Sequence, residues 1–173
     1  MMDLPGLGPL TDDDELPTWA RSGPVDVPML GRACTFRLVD YDDSEREPFA
    51  AAVASLLAAT PDVLTAATAD VFRYYQDLAA QVPALRLTEP AAVWAHVRPG
   101  GIVRIRRRRY GERGVYASID FDCDWDREHG LELVLCDGQR ITKLGPRDGH
   151  VSNADAYGEP RFEDVVYVSL AML

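Results

Sequence analysis

Five carboxylates and a histidine crowd the ten residues Asp120-Phe121-Asp122-Cys123-Asp124-Trp125-Asp126-Arg127-Glu128-His129. Asp126, Glu128 and His129 are the residue types of an acid–base or metal-assisted hydrolytic site, where a carboxylate orients an imidazole that titrates near neutrality. The spacing argues for less. Zinc usually takes three or four nitrogen or sulfur ligands, and the other histidines, His96 and His150, come from a predicted helix end and a loop. A calcium loop needs glycine at its sixth position and glutamate at its twelfth. Counted from Asp120, those positions hold Trp125 and Leu131. The simpler reading is a turn in which Asp126 caps free amides, Glu128 is solvated and His129 closes a hydrogen bond across the tip. The sequence contains no G-x-S-x-G, phosphate-binding glycine loop, dinucleotide fingerprint or H-E-x-x-H, and no cofactor or metal is expected.

The second chemical feature is basic. Residues 98–117 carry seven arginines against the single Glu112, whereas the whole chain of 173 residues has a net charge of −10. Ile102 to Tyr110 alternates, with Val103 and Ile105 on one face and Arg104, Arg106 and Arg108 on the other. Tyr116 to Trp125 alternates too, with Asp120, Asp122 and Asp124 on its polar side. If Glu112-Arg113-Gly114 is a three-residue hairpin loop with Gly114 left-handed, Arg106 faces Asp120 and Arg104 faces Asp122. A slip of one residue would set arginines against apolar side chains. The arginines are therefore read as rungs of a cross-strand charge ladder, each worth ~0.2–1 kcal/mol, with Arg107 and Arg109 left at the sheet rim. An acidic chain is a poor default ligand for nucleic acid, and the ladder removes most of the only positive block.

The elements that must hold these residues follow from pattern. Cys34 to Tyr41 reads as a strand. Ser44-Glu45-Arg46-Glu47 has the form of a capping box before an alanine-rich helix over Phe49 to Ala59. A second helix runs from Thr60-Pro61 to Val82, and a short third from Thr88 to His96. After Pro99-Gly100-Gly101 the chain reads as strands: a second hairpin pairs Trp125 with Leu131 and Phe121 with Leu135, Asp137-Gly138 makes the next turn, and Phe162 to Leu173 is a final strand. The fold class is α+β, an N-terminal strand and helices followed by an antiparallel β-meander. Residues 1–30, with Pro5, Pro9, Pro17, Pro24, Pro28 and the run Asp12-Asp13-Asp14-Glu15, read as a flexible acidic tail ahead of a single domain over 31–173.

Composition bounds the rest. Apolar content of 47 % is that of a globular protein. No window approaches ~18 consecutive apolar residues, the N-terminus lacks the plan of a secretory signal, and three cysteines without a Cys-x-x-Cys point to a reducing, cytoplasmic setting. The open edge of a short sheet leaves a homodimer available.

The segment Ile119 to Leu131, with Asp137-Gly138 beyond it, resembles a family of uncharacterised bacterial domains marked by a strand ending in W-D-x-E-H-G-L and a glycine turn after the next strand. Pro99-Gly100-Gly101, Gly145 and Asp148 fit the same outline, and the likeness covers roughly residues 98–150. The motif maps onto Trp125, Asp126, Glu128, His129 and Gly130. The resemblance implies a binding role of the kind found among bacterial immunity proteins, and no reaction. The expected function is thus a non-enzymatic, cytoplasmic protein-interaction module that neutralises a basic toxin or effector. Its expected contacts are Asp120, Asp122, Asp124, Glu132, Trp125 and His129; the alternative is a small hydrolase or metal-dependent enzyme built on Asp126, Glu128 and His129.

Overall fold

The computed structural model describes residues 2–111 and 113–173. Eight strands form one sheet in chain order: β1 (Asp3–Leu4), β2 (Gly8–Asp12), β3 (Ala20–Val27), β4 (Arg32–Leu38), β5 (Val97–Arg107), β6 (Val115–Cys123), β7 (Asp126–Cys136) and β8 (Arg140–Gly145). Neighbours are antiparallel except β4 and β5. A parallel pair needs a crossover, and it carries α1 (Arg46–Ala58), α2 (Asp62–Ala66), α3 (Thr68–Leu78) and a 3₁₀ turn at Pro90–His96. The fold is α+β, but four strands precede the first helix where one was expected.

The expected tail is corrected by the first three of those strands. Leu4, Leu7, Leu10 and Val27 are buried in the main core, and chain that contributes this much apolar surface does not stay solvated. The prolines punctuate this segment without dissolving it: Pro24 sits where the β3–β4 register shifts, a position that needs no ladder donor. The acidic run turns the chain between β2 and β3. There Asp13 accepts the amides of Glu15 (3.0 Å) and Leu16 (3.1 Å) and pairs with Arg37 (2.9 Å).

One face of the sheet packs on the helices. Phe49, Ala52, Val53 and Leu56 of α1 and Val71, Tyr74 and Tyr75 of α3 meet Phe36, Leu38, Val103, Ile105, Ala117, Ile119, Leu133 and Leu135. The expected helix from Thr60 to Val82 is interrupted at Ala67, between α2 and α3. The first turn before α1 is capped by Asp42, which accepts the Ser44 amide at 2.8 Å, in place of the expected Ser44–Glu47 box. Beyond β8 come α4 (Asn153–Tyr157) and a 3₁₀ turn at Pro160–Phe162, and in place of the expected strand over Phe162 to Leu173 the chain is irregular up to a 3₁₀ turn at Leu170–Met172. This segment runs beside β8, where the Val166 carbonyl accepts the Leu144 amide at 2.8 Å, and Asp77 of α3 holds the Tyr167 hydroxyl at 2.8 Å and the Leu170 amide at 2.9 Å.

Both predicted hairpins form with a register displaced from the predicted one. Arg104 lies opposite Ser118 and Arg106 opposite Tyr116, while Phe121 faces Leu131 and Ile119 faces Leu133. Each displacement is four residues along the partner strand, an even number, so every side chain keeps its predicted face. The causes are local. The β5–β6 connection opens at Arg108, whose amide bonds the Gly114 carbonyl (3.3 Å), and the left-handed residue is Gly111 (φ 65°), not Gly114. The β6–β7 chain reverses at Asp124-Trp125, and residues 127–130 are taken up as a bulge. The Asp137-Gly138 turn is present as predicted. Gly138 (φ 84°) lies so close to α1 that a Cβ there would stand 2.4 Å from the Ala52 carbonyl oxygen.

Leu4→Ala is expected to lower unfolding stability by ~2–5 kcal/mol in urea, as for other fully buried leucines. A free tail would leave the midpoint unchanged.

Candidate functional site

The W-D-x-E-H-G segment is a fastening between the β6–β7 turn and α3. The Trp125 ring, 3 % exposed, meets Tyr74 and Tyr75 edge-on at centroid distances of 6.0 and 5.9 Å. The Tyr74 hydroxyl lies 2.6 Å from Asp126 Oδ2 and 3.0 Å from the Gly130 carbonyl. Its single hydrogen goes to the closer, charged acceptor. Asp126 Oδ1 accepts the His129 amide at 3.0 Å and lies 3.2 Å from His129 Nδ1. Burial pushes the Asp126 carboxyl up, but the Tyr74 hydroxyl and the His129 donors outweigh it and hold the group below the usual range. Burial, then the Asp126 bond, raises Tyr74. Gly130 is required on two counts, since φ is 68° and a Cβ would stand 2.5 Å from the Phe121 carbonyl oxygen.

The structure therefore brings Asp126 and His129 together and leaves Glu128 apart. Glu128 is exposed. Among the described residues no group of three or more His, Cys, Asp or Glu side chains is placed to hold a metal ion. His96 and His150 lie elsewhere, on Asp124 (2.9 Å) and Asp148 (3.3 Å). Cys34, Cys123 and Cys136 are free, buried thiols.

The acidic residues assigned to a partner are split among separate tasks. Asp120 pairs with Arg104 at 2.6 Å and with Arg147 at 3.2 Å. Glu132, 0 % exposed, holds Lys143 at 3.3 Å. Asp124 takes Arg98 (2.7 Å) on one oxygen and His96 on the other. Its hydrogen bonds to Arg98 and then His96 bring its pKa down to about 2. Trp125 and Glu132 are buried, so surface contact is left to Asp122 and His129, both exposed, with Asp124 and Asp120 half-buried.

Five of the seven arginines of the block meet a carboxylate, from a wider set than a ladder between two strands would supply. Arg104 does meet Asp120, on the diagonal. Arg107 pairs with Glu45 (2.9 Å) and Arg109 with Asp40 (2.6 Å). Arg106 bonds the Gly149 carbonyl. Arg108 is buried and is the residue that sequence reasoning missed. Its Nε and Nη2 grip Asp155 at 2.8 Å each, Nη2 reaches Glu163 at 2.8 Å and Ser152 Oγ at 2.9 Å, and Nη1 bonds Glu163 as well. The Glu163 and Asp155 bonds raise its pKa against the opposing effect of burial. In the strand pattern Arg108 is one more arginine on the polar face, and its partners lie more than forty residues away in the chain.

A family model for a domain of unknown function (DUF6985) matches residues 6–151, and the chain belongs to that family. No curated protein and no solved structure matches it. The match begins inside the segment first read as a tail and takes in β2 through β8, the same strands that close the sheet. Among the described residues no helix is long and apolar enough to cross a membrane.

Tyr74→Phe is expected to cost ~1–3 kcal/mol in urea denaturation, because a buried acceptor loses its donor. The Asp126 carboxyl, followed by NMR titration, should rise toward its ordinary range. For Asp124 the folded pKa of about 2 lies below the ordinary aspartate value of 3.8. Its contribution is therefore fully present above pH 3.8 and lost as pH falls toward 2. The stability gap between the natural protein and Asp124→Asn should narrow as pH falls from about 4 toward 2.

Proposed function

We propose that this protein is a non-enzymatic, cytoplasmic interaction module of the immunity-protein type, which meets a basic protein partner, a toxin or effector, with an anionic exterior. The observation that supports the reading is the internal neutralisation of the basic block. Of the seven arginines in 98–117, Arg98, Arg104, Arg107, Arg108 and Arg109 each contact a carboxylate of the same chain. The net charge of −10 is then carried mainly by exposed acids, among them Asp12, Asp14, Asp26, Asp42, Asp43, Glu47, Asp122 and Glu128. Such a surface raises the encounter rate with a cationic protein and repels polyanions, and both effects weaken as salt screens them.

A hydrolytic or metal-dependent activity on Asp126, Glu128 and His129 is the second reading, and the Asp126–His129 contact favours it. It is the weaker one because Tyr74 and the His129 amide already occupy the two oxygens of Asp126.

Capture from a native lysate on the immobilised protein tests the first reading. It should recover a partner of pI above ~9 whose affinity falls roughly tenfold or more between low and high salt. Binding that salt leaves unchanged, or recovery of acidic partners alone, would overturn it. A transition metal bound stoichiometrically and lost in His129→Ala would instead establish the second.

A further inference from the structure

An open cleft of about 990 Å³ lies where β5 runs into its loop, and its walls include Arg106, Arg107, Arg109, Tyr110 and Arg113. Two of its guanidiniums are spoken for, Arg107 by Glu45 and Arg109 by Asp40. Two others are not. Among the described residues Arg106 has no carboxylate within 4.0 Å; Nη2 bonds the Gly149 carbonyl and the buried Nε has no acceptor. Burial lowers the Arg106 pKa first of all, and the neighbouring Arg104 adds to the effect against the pull of Glu132. The side chain of Arg113, exposed on the loop, takes part in no hydrogen bond or ion pair among the described residues. Asp40, Asp42, Glu45 and Asp155 share these walls: Asp40, Glu45 and Asp155 answer Arg109, Arg107 and Arg108, and Asp42, with no cation within 4.0 Å among the described residues, leaves the cleft about one net positive charge.

The lip of the cleft carries an aromatic ring. Tyr110 is 78 % exposed, the most exposed large apolar side chain among the described residues. In the sequence it falls between two arginines of the same loop, Arg109 and Arg113.

We propose that this cleft binds a small phosphate monoester bearing a planar ring, with Arg106 and Arg113 on the phosphate and Tyr110 against the ring. Donor number selects the phosphate: the two guanidinium forks of Arg106 and Arg113 offer more N–H groups than the two oxygens of a carboxylate take up, and a monoester presents three strong acceptor oxygens. Donor geometry agrees, because a guanidinium fork presents parallel N–H groups to phosphate oxygens. The ring face of Tyr110 offers the stacking surface that planar groups use on aromatic platforms. Size follows from the rest of the molecule, since a net charge of −10 repels a long polyanion more than a compact dianion. The inference is independent of the partner reading, which rests on the exterior and not on this cleft.

Phenyl phosphate is the probe, titrated calorimetrically into the full-length protein beside inorganic phosphate and benzoate. Saturable binding is expected, tighter for phenyl phosphate than for either comparator. Arg113→Gln should weaken it at least tenfold with an unchanged circular dichroism spectrum and melting temperature. Tyr110→Ala should abolish the preference over inorganic phosphate while leaving inorganic phosphate itself unaffected. Arg113 and Tyr110 are exposed loop residues, so loss of fold does not confuse these outcomes. No saturation by 10 mM ligand, equal affinity for benzoate, or wild-type affinity in Arg113→Gln would each overturn the proposal.

Discussion

Glu132 is a carboxylate with no exposed surface, midway along β7 beside the edge strand of an eight-stranded sheet. A buried charge is tolerated only when it is paired and hydrogen-bonded, and much of the polar face of the sheet is arranged to meet that condition. Lys143, on the neighbouring strand, is itself 1 % exposed and stands 3.3 Å away. Arg104 approaches from β5 at 3.8 Å. Asp148 then binds Lys143 at 2.9 Å and gives its amide to Glu132 at 3.4 Å. The loop after β8 is thereby drawn over the strands, with Arg147 reaching Asp120 and the Gly149 carbonyl receiving Arg106. A sheet that would otherwise show water a charged face has that face covered by its own chain.

Arg108 does at the end of β5 what Glu132 does on β7. Its guanidinium is satisfied by Asp155, Glu163 and Ser152, which anchors α4 and the turn after it beneath the β5–β6 connection. Breaking a buried pair of this kind by removing one partner leaves an uncompensated charge, which is more damaging than never having had the pair. The arginine block is thus largely a structural device. Its neutralisation leaves the anionic exterior, and its two exceptions, Arg106 and Arg113, share one cleft. The W-D-x-E-H-G turn acts likewise, with Trp125 wedged between two tyrosines and Asp126 tied to α3. Residue types associated with catalysis here hold a bulged hairpin against a helix.

Much of the architecture was legible from short-range pattern. Alternation assigned the faces of β5, β6 and β7 correctly, and those assignments survived a four-residue error in register because an even displacement does not exchange faces. Register itself depended on where each loop begins. Glu112-Arg113-Gly114 fits a three-residue turn, with Glu112 outside the described residues, but β5 leaves off at Arg107 and the Arg108 side chain goes to Asp155 and Glu163. No local rule announces an acceptor that lies dozens of residues downstream. The proline-rich start misled for a related reason: Leu4, Leu7 and Leu10 are too sparse to show a period, and they are recognisable as core only once the sheet provides something to pack against.

By itself the amino-acid sequence determined the class of fold, the face on which each residue of the central strands lies, the Asp137-Gly138 turn and the excess of negative charge. These follow from periodicity, backbone preference and composition, which act between near neighbours or over the whole chain at once. Only the tertiary structure decided which carboxylate each arginine meets, that Glu132 and Trp125 are buried, that the first thirty residues complete the sheet, and that Arg106 and Arg113 line the same cleft. Those outcomes depend on distances between segments remote in the chain, set by packing the whole core together, and no single stretch of sequence contains them.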